Sequence, residues 1–368
     1  MKYIFLFYLS ILLLLTGCSG ISYYSQSISG QMSILLKREE LNSVINDVDT
    51  DNSVKITLQQ VRKIRRFASQ SLKLPNNQSY LYYVDLERPY VVWNVVAAPE
   101  FSLSPKKWCY PIVGCVSYRG YFALSDAEQH ATKLKEQGLD VSVAGISAYS
   151  TLGWFDDPVL NTMLNWRDYT LASLIFHELS HQVIYISSET SFNEAFSTAV
   201  GRLGTIQWLL AHHPEKLSHY LSFLQAYSDF RQLLNKTHEQ LNDVYSSGIS
   251  DSEKRIKKQT VFNQLKLSYE QLKQQWPNGI HFNSWFSKSI NNARFTSTMT
   301  YLQKVPAFYA LFAESQGDWS KFYEKVIEMD DLDKAERDKL IDEKLAQTIQ
   351  IEYLIEIIRE NLKKNKQS

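Results

Sequence analysis

His177 and His181 stand four residues apart around Glu178, inside a run whose apolar positions Leu171, Leu174, Ile175 and Leu179 follow a helical period. On a helix, positions i and i+4 lie one above the other on one face, so both imidazoles can reach a single cation. The pattern therefore demands a helix at this point and a further ligand brought up from elsewhere in the chain. A histidine pair at this spacing suits zinc, and the intervening Glu178 is placed to act as general base on an attacking water. The competing reading is a solvated helix face that carries polar residues by chance. His238-Glu239-Gln240-Leu241-Asn242 has the first half of the pattern but no second histidine.

A third ligand is available. Phe192, Ala195, Phe196, Ala199, Val200 and Leu203 predict a second helix that opens at Ser191. If the first helix runs about five residues, or 7.5 Å, beyond His181 before a loop at Ser187-Ser188, the second turns back with Glu194 about 4.5 Å into it. At an interhelical distance of about 8–10 Å the two residues reach similar height. Glu194 then completes a site of three protein ligands with one position open, which is the catalytic rather than the structural arrangement of zinc. Zinc acidifies water and polarises a carbonyl, and Glu178 would carry the proton from water to the leaving amine. Ser191-x-x-Glu194 is also a capping box, in which Glu194 serves only the helix end.

His177-Glu178-x-x-His181 followed by Asn193-Glu194 resembles the gluzincin metallopeptidases, the group of thermolysin and the zinc aminopeptidases. The twelve residues between His181 and Glu194 are fewer than in those enzymes, and Thr198 stands where thermolysin-like enzymes carry an acid. Support for the histidine ligands must therefore come from elsewhere. Over nearly the whole mature length the chain also resembles a bacterial family of predicted aminopeptidases. The landmarks are Arg88-Pro89-Tyr90-Val91-Val92-Trp93-Asn94, Trp108-Cys109 to Cys115, Tyr118-Arg119-Gly120-Tyr121-Phe122, Ala148 to Pro158 and Asn292-Ala293-Arg294. The resemblance implies a zincin-like core, Zn2+ as cofactor, and a peptide or protein substrate. It supports peptidase chemistry better than exopeptidase specificity.

The N-terminus bears on location. Lys2 is followed by an apolar run, Tyr3 to Leu15, which as a helix spans about 20 Å. A bilayer core needs about 30 Å, so this is a signal segment rather than a span. Leu15-Thr16-Gly17-Cys18 resembles a bacterial lipobox, with Cys18 as the lipidated N-terminus after cleavage. Ser19 does not favour inner-membrane retention, so the expected location is the outer membrane, anchored by lipid and facing the periplasm. Cys109 and Cys115 remain. Outside the cytoplasm they can form a disulfide, and two buried thiols are the alternative.

The rest of the chain predicts an α+β fold. Helical stretches over 21–47 and 58–72 precede strands at 79–86, 90–97, 113–122 and 139–149, with a helix at 125–137. From Asp168 onward the pattern is helical, ending in a long helix or helix pair over 332–364. The expected division is a signal peptide (1–17), a helical lead-in (18–76), a zinc metallopeptidase core with a small mixed sheet (77–212) and a helical C-terminal region (213–368). With 39 basic and 39 acidic residues the chain lacks the basic excess that nucleic-acid binding requires. The basic cluster Lys254 to Lys258 reads as a solvated face. Tyr149 and Ser150, at the end of the last strand before the zinc helix, are candidates for lining the substrate cleft. Tyr185 could face the site or the core, and Tyr301 and His281 are candidates to hold an oxyanion. Glu189, Asp156 and Asp157 are candidates for a substrate ammonium. Against an enzyme stands a non-catalytic envelope lipoprotein with a structural or vestigial zinc site and a protein partner. The presence of Glu178 favours the enzyme.

Overall fold

The computed structural model of the chain describes residues 18–110, 114–277, 279–300, 303–347 and 349–367. The chain enters through α1 (Cys18–Leu36), β1 (Glu39–Glu40), α2 (Leu41–Asn46) and α3 (Asn52–Ser71). α3 buries Leu58, Val61, Ile64, Phe67 and Ala68, the three-and-four spacing of an amphipathic helix. Next come β2 (Tyr82–Val84), β3 (Val92–Pro99), β4 (Trp108–Tyr110), β5 (Gly114–Val116), β6 (Arg119–Tyr121), α4 (Leu124–Glu136), β7 (Leu139–Ile146) and β8 (Val159–Leu160). The remainder is helical: α5 (Asp168–Ser180), α6 (Thr190–His212), α7 (Leu217–Ser246), α8 (Asp251–Leu272), α9 (Asn283–Phe286), α10 (Asn292–Thr300), α11 (Val305–Glu314), α12 (Trp319–Ile327), α13 (Lys334–Leu345) and α14 (Ile351–Gln367).

The fold is mixed α+β and mostly helical, but its strands fall into three small sheets rather than one. β3 is the centre of an antiparallel sheet, β6-β3-β7, with Val92 opposite Ile146 and Pro99 opposite Leu139. β2 pairs antiparallel with β1 and parallel with β8. β4 and β5 form a hairpin in which Cys109 and Cys115 are partners and are joined as a disulfide.

Several expected boundaries move. The strand expected over 79–86 shrinks to β2, flanked by Tyr80 and Glu87 in left-handed backbone. The one expected over 113–122 breaks into β5 and β6. The strand expected over 139–149 ends at Ile146 and is not the last before the histidine helix, because β8 follows it. The intervening segment turns through Leu152 and Gly153, both with positive φ, which no strand pairing tolerates.

β3 sorts its side chains by alternation. Val95 and Ala97 join Val141 and the α4 residues Ala127, Ala131 and Leu134 in one cluster. Val92, Asn94 and Val96 point to the opposite face. The largest core runs in sequence from Ile34 to Ile358 and surrounds α5 and α6, with Phe176, Phe196, Phe308 and Phe322 fully buried. A second cluster, around Phe230, Phe262, Tyr269 and Phe295, joins α7 to α10. The basic cluster of α8 is not merely solvated. Arg255 grips Glu100 at 2.6 and 2.8 Å, and Lys258 pairs with Asp140 at 2.6 Å, tying α8 to the ends of β3 and β7.

α1 lies across the mouth of this assembly. Gln26 donates to the carbonyl of Gly120 and accepts from the amide of Phe122, while Gln31 bonds the Tyr149 hydroxyl. Gly30 sits so close to the Phe122 ring that a Cβ would lie 2.1 Å from it.

Candidate metal centre

α5 and α6 pack as an antiparallel hairpin, and small residues let them approach. A Cβ on Gly201 of α6 would fall 2.7 Å from the carbonyl oxygen of Ser173 and 3.3 Å from Cβ of His177. α5 ends sooner than its sequence implies. Its last residue is Ser180, and His181 is its C-cap, followed by turns at Gln182 and Val183. The return segment is held by Asn193, whose amide bonds both the N–H and the carbonyl of Ile186 at 2.9 and 2.8 Å. α6 begins at Thr190 with Glu189 as N-cap and no side-chain cap, so the Ser191-to-Glu194 capping box does not form. Glu194 is turned to the histidines instead.

The result is a converging donor set. Nε2 of His177 is 3.3 Å and Nε2 of His181 is 3.9 Å from Oε2 of Glu194. All three ligand atoms lie within 4.8 Å of one another, and together these residues could hold a metal ion. Tetrahedral bonds of about 2.05 Å to nitrogen and oxygen put neighbouring ligand atoms about 3.3 Å apart, so the spacing fits a small divalent cation. Ser197, one turn beyond Glu194 and fully buried, has its Oγ 3.1 Å from Nδ1 of His181. It fixes the ring so that Nε2 faces the centre. This is the support that Thr198 does not supply, and a serine within a helix gave no sign of it.

Charge in the centre is tightly arranged. Burial lifts the Glu178 carboxyl to about 7, with His177 opposing and Glu194 and Asp157 adding to the rise. Burial depresses His181 to about 4. At His177 burial also works against the charged form, but the hydrogen bond to Glu194 and the charges of Glu178 and Glu194 outweigh it and raise the pKa. Glu194 is the converse: burial opposes ionisation, yet the two histidines hold its pKa below the usual value.

These groups stand on the wall of a cavity of about 590 Å³. Tyr149, Ser150 and Tyr185 line it, and the Tyr185 ring lies 6.5 Å from that of His181. Tyr118 lines it too; the sequence offers it as part of a family landmark but not as a site residue, since it comes from the β5–β6 connection about sixty residues upstream of the histidines. Burial, with Glu194, Tyr185 and Glu178 close by, pushes the Tyr118 pKa well up, and burial and Glu194 raise that of Tyr185. Both phenols therefore stay protonated and able to donate. Tyr23 and Ser27 of α1 close another side.

Other candidates lie elsewhere. His281 is exposed and does not line the cavity, and Tyr301 falls outside the described residues. Glu189 pairs with Lys334 at 3.2 Å. Asp157 is buried and accepts from the amide of Thr151 at 2.9 Å, and the carbonyl of Asp156 accepts from Arg38. None of these three acids lines the cavity; among described residues its only carboxylates are Glu178 and Glu194. Cys18 opens α1, and its side chain lies outside the description.

Residues 22–341 match the model of a family described as "putative aminopeptidase". The chain belongs to this family. No curated protein and no solved structure matches the chain. The match runs from within α1 into α13, so it includes every residue of the candidate centre.

Proposed function

We propose that the protein is a zinc-dependent metallopeptidase of the gluzincin type, with a zincin-like core. The observation that carries the reading is the meeting of His177, His181 and Glu194 beside the buried Glu178 on the wall of one cavity. Two imidazoles and one carboxylate are a zinc donor set that leaves a position open. When bound, zinc supplies the Lewis acidity that makes water nucleophilic near neutral pH and polarises a carbonyl. Glu178 accepts the proton of the attacking water and returns it to the leaving amine; burial keeps its affinity for that proton high. Tyr118 and Tyr185 donate hydrogen bonds to the oxygen that becomes negative. Tyr149 and Ser150 line the path of the peptide. A vestigial site is disfavoured because Glu178, which is no ligand in this set, stands on the wall of the same cavity as the three ligands. The lipobox at Cys18 and the Cys109–Cys115 disulfide support a lipid-anchored protein in an oxidising envelope compartment.

The test is zinc stoichiometry together with peptide hydrolysis in two variants. Glu178→Gln keeps zinc and loses turnover by about 10²–10⁴-fold, because an amide cannot take the water proton. Glu194→Ala loses zinc, and activity falls with the metal content. Normal hydrolysis by Glu178→Gln overturns the mechanism, and full zinc in Glu194→Ala removes the third ligand.

A further inference from the structure

Beside the cavity lies a pocket of about 250 Å³ that shares Asn94, Tyr118, Ile146 and Thr190 with it. The floor is common to both. It is the face of β3 and β7 that presents Asn94, Val96, Ser142, Ala144 and Ile146. α10 covers its far end and places Arg294 there, the only charged residue among the described residues that line the pocket.

The Asn292-Ala293-Arg294 run explains how. Asn292 is fully buried; its Nδ2 donates to the carbonyls of Pro99, Glu100 and Ser102 at 2.8–3.1 Å, and its backbone N–H bonds Asp140. Ala293, also fully buried, packs on Val96 and Ala98 of β3. The next residue, Arg294, is delivered to the pocket. Its Nε and Nη2 donate to the carbonyl of Trp285 at 3.1 and 2.8 Å, and Nη2 reaches that of Ser284 at 3.4 Å, while the guanidinium lies over the Trp285 ring. These bonds fix the guanidinium plane and leave Nη1 without a protein acceptor among the described residues. Every aspartate and glutamate of the chain is described, and none pairs with Arg294. Its charge is half-buried and uncompensated, an arrangement that favours an anion.

We infer that the enzyme holds a carboxylate of its peptide with Arg294 in this side pocket, next to the cavity of the candidate metal centre. The inference rests on the peptidase reading for its substrate class. The carboxylate is that of a short peptide's C-terminus or of an acidic side chain.

The experiment compares kcat/KM of zinc-loaded full-length protein on one short peptide in four forms: free, N-acetylated, C-amidated, and C-amidated with a glutamate side chain added. C-amidation is expected to cost about 10- to 100-fold, the loss of a charge-assisted hydrogen bond, whatever N-acetylation does at the other end of the peptide. Rescue of the amide by the glutamate identifies a side-chain carboxylate as an acceptable source; no rescue assigns the pocket to the C-terminus. The acid-over-amide ratio is expected to collapse towards one in Arg294→Gln and to survive in part in Arg294→Lys. No loss on amidation in the wild-type protein overturns the inference. If no peptide is cleaved, calorimetric titration with the same acid and amide separates the two claims. Acid preference that Arg294→Gln abolishes keeps the pocket assignment while the peptidase reading fails, and equal binding of acid and amide sinks the pocket as well.

Discussion

The hydroxyl of Ser197 sits 3.1 Å from Nδ1 of His181, one helical turn beyond Glu194 on the same helix. α6 thus contributes both a candidate ligand and the group that orients another ligand. Removing the hydroxyl by Ser197→Ala leaves the three ligands in place but lets the His181 ring turn. Zinc affinity is expected to fall by about 10–100-fold, with activity recovering when zinc is added in excess. Competition with a chromophoric chelator measures this directly; unchanged affinity means the contact orients nothing.

The approach of α5 and α6 can be probed without touching a polar group. Gly201→Ala places a methyl 2.7 Å from the Ser173 carbonyl and 3.3 Å from Cβ of His177. The helices must part or shift, at a cost of about 1–3 kcal/mol, and His177 moves with them. Both thermal stability and zinc affinity should drop, whereas a helix made more stable by alanine, with unchanged metal binding, contradicts the tight approach.

Asp157 gives a pH signature away from the ligands. Burial raises its carboxyl to about 6, against hydrogen bonds from Thr151 that favour the ionised form. A raised folded-state pKa means stability that is complete below the unfolded value, near 3.8, and is lost as pH rises through 6. Asp157→Asn can still accept the Thr151 amide and avoids the buried charge. The variant should gain on the wild type by about 2–3 kcal/mol between pH 4 and pH 8. Urea unfolding at both pH values decides it; a gap that does not widen with pH counts against a buried, proton-hungry carboxylate.

Cys18 is expected to carry the anchor. Cys18→Ser should abolish fatty-acid labelling and leave an uncleaved or soluble form, because stable attachment needs more than one acyl chain. Identical labelling and fractionation of the variant rule the anchor out.

Much of the centre was readable because helix geometry is local. The spacing of His177, Glu178 and His181 requires one face of one helix, and a short return brings Glu194 to it. The length of α5 was misjudged, because its end depends on Asn193 gripping Ile186 across the turn, a contact that apolar period does not encode. The roles of Ser197 and Tyr118 at the site were not legible, for different reasons. A buried serine in a helix has many uses, and Tyr118 meets the histidines only through the packing of a separate sheet. Lys258 and Arg255 looked solvated because their partners, Asp140 and Glu100, lie more than a hundred residues away.

α1 has two duties that cannot be separated. It leads away from Cys18, the residue expected to carry the lipid, and through Tyr23, Ser27 and the Gln31–Tyr149 bond it is also one side of the room where hydrolysis would occur. The manner in which the protein is solubilised therefore matters. A soluble form made by exchanging Cys18 for serine would keep every wall standing. Trimming the chain to the start of α2 would unroof the cavity and free Tyr149, so an inactive trimmed protein would be a statement about a missing wall and not about the chemistry of the histidines.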